Sequence, residues 1–263
     1  MDPFFNDIKY DTPKDTRCSL GYKIFLKSRF WLYFLFAKIV FKSRSYIKKG
    51  IYDNKKWAEA SFDILKAIER CGGRFHIRGL DNLKKSDDGP IVFISNHMST
   101  LETVVLPCLI TLTYPATFIV KKKLVKGPIF GPIMRSRDPI VVGRKNPRKD
   151  LITVLKRGKE ILSQRRSIIV FPQSTRQIEF IPERFNTLGI KLAKNSGVKI
   201  LPIALKTDFW GNGKLIRGFG KLNPKKTIYF EFGKPMDIQG NGRDEHKKII
   251  EFIQFNLNKW EKK

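Results

Sequence analysis

One stretch constrains the fold of this chain more than any other. An apolar run, Pro90-Ile91-Val92-Phe93-Ile94, passes directly into Ser95-Asn96-His97-Met98-Ser99-Thr100-Leu101-Glu102. Leu101, Val104, Val105, Leu109 and Ile110 then recur at helical spacing. This reads as a buried strand, a tight turn and a helix, with Asn96 and Thr100 both suited to cap the helix. A loop at the carboxyl end of a strand is where α/β folds commonly place ligands. Further short apolar runs read as strands at 74–78, 116–120, 139–142, 167–171, 198–205 and 227–232. Helical patterns over 147–164, 185–196 and 243–260 fall between or after them. The expected fold is therefore α/β: a mixed, mainly parallel sheet flanked by helices. Pro202 inside the 198–205 run points to an edge, a bulge, or a place where backbone meets ligand.

The octapeptide carries a histidine with a carboxylate five positions later. Glu102 can accept a hydrogen bond from one ring nitrogen of His97, fixing the tautomer and stabilising the imidazolium once formed. The other nitrogen is then a general base for an alcohol proton. No covalent nucleophile is required if the acyl donor is a thioester, because a thiol of pKa about 8.5 leaves with little acid assistance. By itself a His-x4-Glu pair is equally a capping or surface arrangement. Ser174 sits at a strand end but lacks a Gly-x-Ser-x-Gly elbow, so it is not read as a nucleophile.

Four blocks in order change that balance. They are Asn96-His97-x4-Glu102, then Pro128-Ile129-Phe130-Gly131 leading to Pro139-Ile140-Val141-Val142-Gly143-Arg144, then Phe171-Pro172-Gln173-Ser174-Thr175-Arg176, then Leu201-Pro202-Ile203-Ala204. Together they resemble the glycerolipid acyltransferases typified by 1-acylglycerol-3-phosphate acyltransferase, across residues 74 to 237. The resemblance implies acyl transfer from acyl-CoA or acyl-carrier protein to the hydroxyl of a lysophospholipid, 1-acylglycerol-3-phosphate first. It implies His97 as base, Glu102 as its orienting partner, Arg144 and Arg176 on the acceptor phosphate, and Gln173, Ser174 and Thr175 around the acceptor. No metal or prosthetic group is implied. Two departures stand out. Glu102 replaces the family's Asp with one more methylene, and Gln173-Ser174 replaces Glu-Gly, removing a negative charge and a flexible position beside Arg176. The second change leaves open a different lysolipid acceptor, or a basic lipid-binding protein without catalysis.

Charge narrows the partners. Lys and Arg total 52 against 24 Asp and Glu, a formal +28 spread over the whole chain. Such a chain seeks polyanions. With no zinc-ligand spacing and no nucleic-acid motif, membrane phospholipids and phosphate-bearing substrates are expected rather than nucleic acid. Lys121, Lys122 and Lys123 are either a solvated turn or a cationic rim for phosphates, and Arg135 and Arg137 are read as surface charge. Three scattered cysteines, Cys18, Cys71 and Cys108, suggest no disulfide framework and fit a reducing compartment.

Residues 1–73 are expected to form an N-terminal tail and a membrane-docking helical pair, ahead of an acyltransferase domain at 74–263. The first 19 residues are mixed and polar, unlike a signal peptide. Phe30 to Phe41 is the most aromatic run, fringed by Lys and Arg, and covers only about 18 Å as a helix. That suits immersion in one leaflet; the competing reading is a core helix. A second helix, 54–71, carries the stripe Trp57, Ser61, Ile64, Leu65 and Ile68, and stops at Gly72-Gly73. The expected location is the cytoplasmic face of a membrane, monotopic or peripheral.

Overall fold

The structure is a computed structural model that describes residues 4–5, 8–26, 28–84, 89–173, 175–213 and 218–262. Ser174 lies outside the described residues. The chain begins with strand β1 (Tyr10–Asp11), then helices α1 (Leu20–Ile24), α2 (Arg29–Lys48) and α3 (Asn54–Arg70). Strand β2 (Phe75–Arg78) precedes the motif unit, β3 (Val92–Ser95) and α4 (Leu101–Ile110). Then come β4 (Ala116–Lys121), α5 (Lys122–Lys126), α6 (Gly131–Ser136), β5 (Ile140–Val142), α7 (Pro147–Ser163) and β6 (Ser167–Val170). The chain closes with α8 (Leu188–Ser196), β7 (Ile200–Lys206), β8 (Ile228–Phe232) and α9 (Arg243–Glu261).

Among the described residues the strands form one sheet in the order β1-β2-β8-β7-β3-β6-β4-β5. All pairings are parallel except β1–β2 and β7–β8. Both faces are covered, so β3 and β6 are buried at every residue, and alternate side chains feed two cores. Phe93 and Ile169 join α2, α3 and α4 through Leu32, Phe36, Leu65, Ile68, Leu101 and Val105. Val92, Ile94, Ile168 and Val170 join α7, α8 and α9 through Val154, Ile161, Ile190, Ile249 and Ile253. Gly189 lets α8 lie on β3: a Cβ there would sit 2.6 Å from Ile94 Cδ1.

The first of these cores runs across position 73, and β1, in the stretch read as polar tail, extends the sheet. Helix α2 also differs from expectation. It runs for 20 residues, about 30 Å, so its length matches a bilayer core and its charge does not. No described helix is long and apolar enough to cross a membrane. The aromatic run divides by face: Leu32, Phe36 and Val40 are buried, as in a core helix, while Phe30, Phe34 and Phe41 are exposed. Helix α3, expected to dock with it, turns Trp57, Ile64, Leu65 and Ile68 into the core and shows no large exposed apolar side chain. The outward apolar residues lie instead on and beside α1, at Leu20, Ile24, Phe25 and Leu26.

Strand β7 is interior and unbroken, not an edge. Pro202 is tolerated because its carbonyl accepts from Gly233 N (2.8 Å) beyond the end of β8, and residues Ile203 to Lys206 alone pair with β8. A strand residue's N and C=O face the same side, so the missing donor falls where no ladder partner waits. The 185–196 helix is shorter than its pattern. It starts at Leu188, after a 3-10 turn at Pro182–Arg184.

Candidate active site

Because β3, β4, β5, β6 and β7 are mutually parallel, their carboxyl ends share one edge of the sheet. That edge gathers the His97 turn after β3, Lys121 to Lys123 after β4, Arg144 after β5, the 171–176 loop after β6 and Thr207 after β7.

His97 and Glu102 are in contact. His97 Nδ1 lies 2.9 Å from Glu102 Oε1. The same oxygen accepts from the backbone N–H groups of Met98 (2.7 Å) and Ser99 (2.8 Å). Oε2 accepts from Ser99 Oγ (2.9 Å) and Thr207 Oγ1 (2.6 Å). A carboxylate surrounded by donors has no proton to give, so Nδ1 carries the hydrogen and Nε2 the lone pair. Nε2 has no hydrogen-bond partner among the described residues. Burial pushes the Glu102 carboxyl upward, but the hydrogen bond and charge of His97, with Thr207 and the Ser99 amide, outweigh it and hold the carboxyl below its ordinary value. Glu102 is fully buried and the His97 side chain is 15% exposed, so the pair is sheltered with one nitrogen at the surface.

Second contacts fix the imidazole plane and its backbone. The ring stacks on Phe171, with centroids 4.3 Å apart and planes 19° from parallel. His97 N donates to Gln173 Oε1 (2.7 Å), and Gln177 N donates to His97 O (2.8 Å). The loop after β6 thus grips the peptide of His97 from both sides. Gln173, expected among the acceptor-binding residues, is 1% exposed and turned toward His97. Asn96 caps nothing. It joins β3 to β7, donating to Leu205 O (2.8 Å) and accepting from Leu205 N (2.9 Å). Thr100 has no capping bond either; its hydroxyl accepts from Arg176 Nη1 (2.8 Å), and Ser99 Oγ takes the Leu101 N–H (3.0 Å).

The arginines are spread along the edge. Arg176 is drawn to the start of α4 by Thr100, and Thr175 lies half-buried beside it. Arg144 follows β5, two strands from β6, so the strand ends from which the two arginine-bearing segments leave are about 10 Å apart at ordinary strand spacing. Gripping one phosphate would need both side chains to reach over the end of β4. Arg144 has a left-handed backbone (φ 59°), held by Asp150, whose carboxylate accepts from the N–H groups of Gly143 (2.9 Å) and Arg144 (2.7 Å). Arg137 is structural: it bonds to Tyr52 O and Asn54 Oδ1 and lies over the rings of Tyr52 and Trp57. Arg135 bonds to Val125 O. Cys108 is buried in α4, as a small apolar residue would be.

Thr207, Gln177 and Asp150 escape a reading by motif. Thr207 is the first residue past the end of β7, a strand adjacent to β3, and that position is the available signal.

The family model described as Acyltransferase matches residues 74–206. A 1-acyl-sn-glycerol-3-phosphate acyltransferase of Pseudomonas aeruginosa is 31% identical over 189 residues, covering 72% of this chain and 68% of that protein. A chloroplast protein of the same name from Arabidopsis thaliana is 32% identical over 143 residues, covering 54% of this chain and 38% of the relative. The crystal structure of the acyltransferase PlsC from Thermotoga maritima superposes with a TM-score of 0.66 at 20% identity, covering 92% of this chain and 98% of that one, a likeness of fold. With His97, Arg144 and the segment around Arg176 at one sheet edge and the family model spanning the ordered blocks, this chain belongs to the Acyltransferase family and is an acyltransferase.

Proposed function

We propose that the protein transfers a fatty acyl group from an acyl thioester, acyl-CoA or acyl-carrier protein, to the free hydroxyl of 1-acylglycerol-3-phosphate, giving phosphatidic acid. The observation that carries this reading is the Nδ1-bonded His97 at the strand edge, whose Nε2 has no partner among the described residues. Nε2 takes the acceptor's hydroxyl proton as its oxygen attacks the thioester carbonyl, and Glu102 stabilises the imidazolium. The tetrahedral adduct then expels the thiolate, and the donor carbon ends as an ester. Arg176 and Arg144, with Lys122 and Lys123, supply positive charge for the phosphates along the same edge. Thr175 and Ser174 belong to the acceptor loop, whereas Gln173 acts through His97.

Residues 1–73 serve the catalytic portion at 74–263 by holding it to the cytoplasmic face of a membrane. The exposed apolar face of α1 and α2 supports this. Tyr33 of α2 packs on Trp210 and Phe219, and Gly218, next to Phe219, lies close to Thr100. The apolar face therefore adjoins the catalytic edge, where a lipid acceptor would arrive.

The test is acyl transfer by the purified protein in anionic vesicles, offering both donor types to a panel of lysolipids with His97→Ala in parallel. Product that needs His97 and prefers 1-acylglycerol-3-phosphate is expected. Preference for another lysolipid would reassign the acceptor. Lipid binding without transfer to any acceptor would overturn the catalytic reading.

A further inference from the structure

We propose that Thr207 is a positioning residue for the catalytic pair, and that the extra methylene of Glu102 is what brings it into contact. This rests on the reading of His97 as base. The donors to Glu102 Oε1 come from the turn itself: the His97 ring and the amides of Met98 and Ser99. Among the described residues, Thr207 is the one partner of Glu102 from outside that turn, 105 positions along the chain. Its hydroxyl sits 2.6 Å from Oε2 and 3.1 Å from Ser99 Oγ, and the group is wholly buried.

The two oxygens have separate tasks. Oε1 faces His97, and Oε2 is anchored to the end of β7, which lies beside β3 in the sheet. Ser99 Oγ also holds Oε2, but it belongs to the same turn; without Thr207 the carboxylate is held, among the described residues, by that turn alone, and the alignment of Oε1 with Nδ1 loosens. A shorter Asp side chain withdraws the carboxylate by about 1.5 Å, one carbon–carbon bond. It can then keep His97 or Thr207, but not both at hydrogen-bond distance. The backbone here is thus fitted to Glu, and Thr207 is the part of the fit that lies outside the turn. A buried hydroxyl left without an acceptor is also unfavourable, so Thr207 and Glu102 are coupled in both directions.

The test is a double-mutant cycle on the full chain with Thr207→Val, Thr207→Ser, Glu102→Asp and the Glu102→Asp/Thr207→Val pair. It reads kcat, acceptor KM and imidazole 15N shifts of His97. Thr207→Val should lower kcat about tenfold to a hundredfold with acceptor KM unchanged, and Thr207→Ser should restore it. Glu102→Asp should cost less in the Thr207→Val background than alone. The 15N shifts, which need no substrate, should show the Nδ1–H tautomer giving way to a mixture in Thr207→Val. Unchanged kcat and tautomer in Thr207→Val, equal loss in Thr207→Ser, or multiplicative losses in the pair would each overturn the proposal. If the unaltered chain transfers no acyl group, the reading of function fails separately, and the tautomer shift still decides the role of Thr207.

Discussion

Glu102 contributes to the stability of the protein as well as to the proposed chemistry. Its carboxyl is held below the ordinary value, because donors from the turn and from Thr207 outweigh the effect of burial. A group whose folded pKa is depressed stabilises the fold above its unfolded pKa, and that contribution is lost as pH falls through the folded value. Glu102→Gln keeps the shape but loses the charge, and its amide NH2, a donor, faces donors from which a carboxylate oxygen accepted. The stability difference between the two proteins should therefore be constant above pH ~4.3 and shrink as pH falls below it, down through the depressed value. Denaturant unfolding of both proteins across that range checks this; a difference that grew on acidification would contradict it. The His97–Glu102 contact was legible in the sequence because both residues belong to one turn, whose shape local spacing fixes. The inward turn of Gln173 was not. It depends on β6 lying beside β3, which no local pattern encodes.

Helix α2 shows how one element can present a buried and an exposed apolar face. Its apolar residues cover nearly the whole circumference, so periodicity alone does not separate the face toward α3 from the face toward solvent. Packing separates them: Phe36 is 5% exposed and touches Phe130 and Trp210, while Phe34, two positions earlier, is 53% exposed. The two substitutions should behave oppositely. Phe36→Ala should destabilise the fold by about 3–5 kcal/mol, the usual cost of emptying a buried aromatic site. Phe30→Ala/Phe34→Ala should change unfolding by no more than ~0.5 kcal/mol per site, as exposed positions do, and should weaken vesicle binding. Thermal unfolding and vesicle co-sedimentation of both proteins measure this. Vesicle binding unaffected by the exposed pair would place the membrane face elsewhere. Strands after residue 73, by contrast, are legible to within two residues, because short β-rich runs bounded by Gly, Pro or charge have few other structures available, whereas β1 lies in a stretch that reads as polar tail. Pro202 misled because its tolerance comes from the neighbouring strand's end and not from its own strand.

At the scale of the whole molecule, the proposed membrane attachment has two distinct means, the formal +28 and the apolar face, and they respond differently to salt. Coulombic attraction to an anionic surface is worth about 1 kcal/mol per basic residue close to it and decays over a Debye length, roughly 10 Å at 0.1 M and 3 Å at 1 M salt. Burial of Leu20, Ile24, Phe25, Leu26, Phe30 and Phe34 in the interface is not screened in this way. Both should act together on a membrane carrying acidic headgroups. Binding to vesicles rich in phosphatidylglycerol should therefore be strong at about 0.05 M salt and fall steeply toward about 0.5 M, levelling off at a residual affinity. Neutral phosphatidylcholine vesicles should show only that residual affinity, nearly independent of salt. Removing the exposed phenylalanines should lower the plateau without changing the slope against salt, whereas reversing Lys122 and Lys123 to Glu should flatten the slope and spare the plateau. Co-sedimentation across a salt series separates the two effects. A single mechanism would show itself if either set of substitutions abolished both slope and plateau.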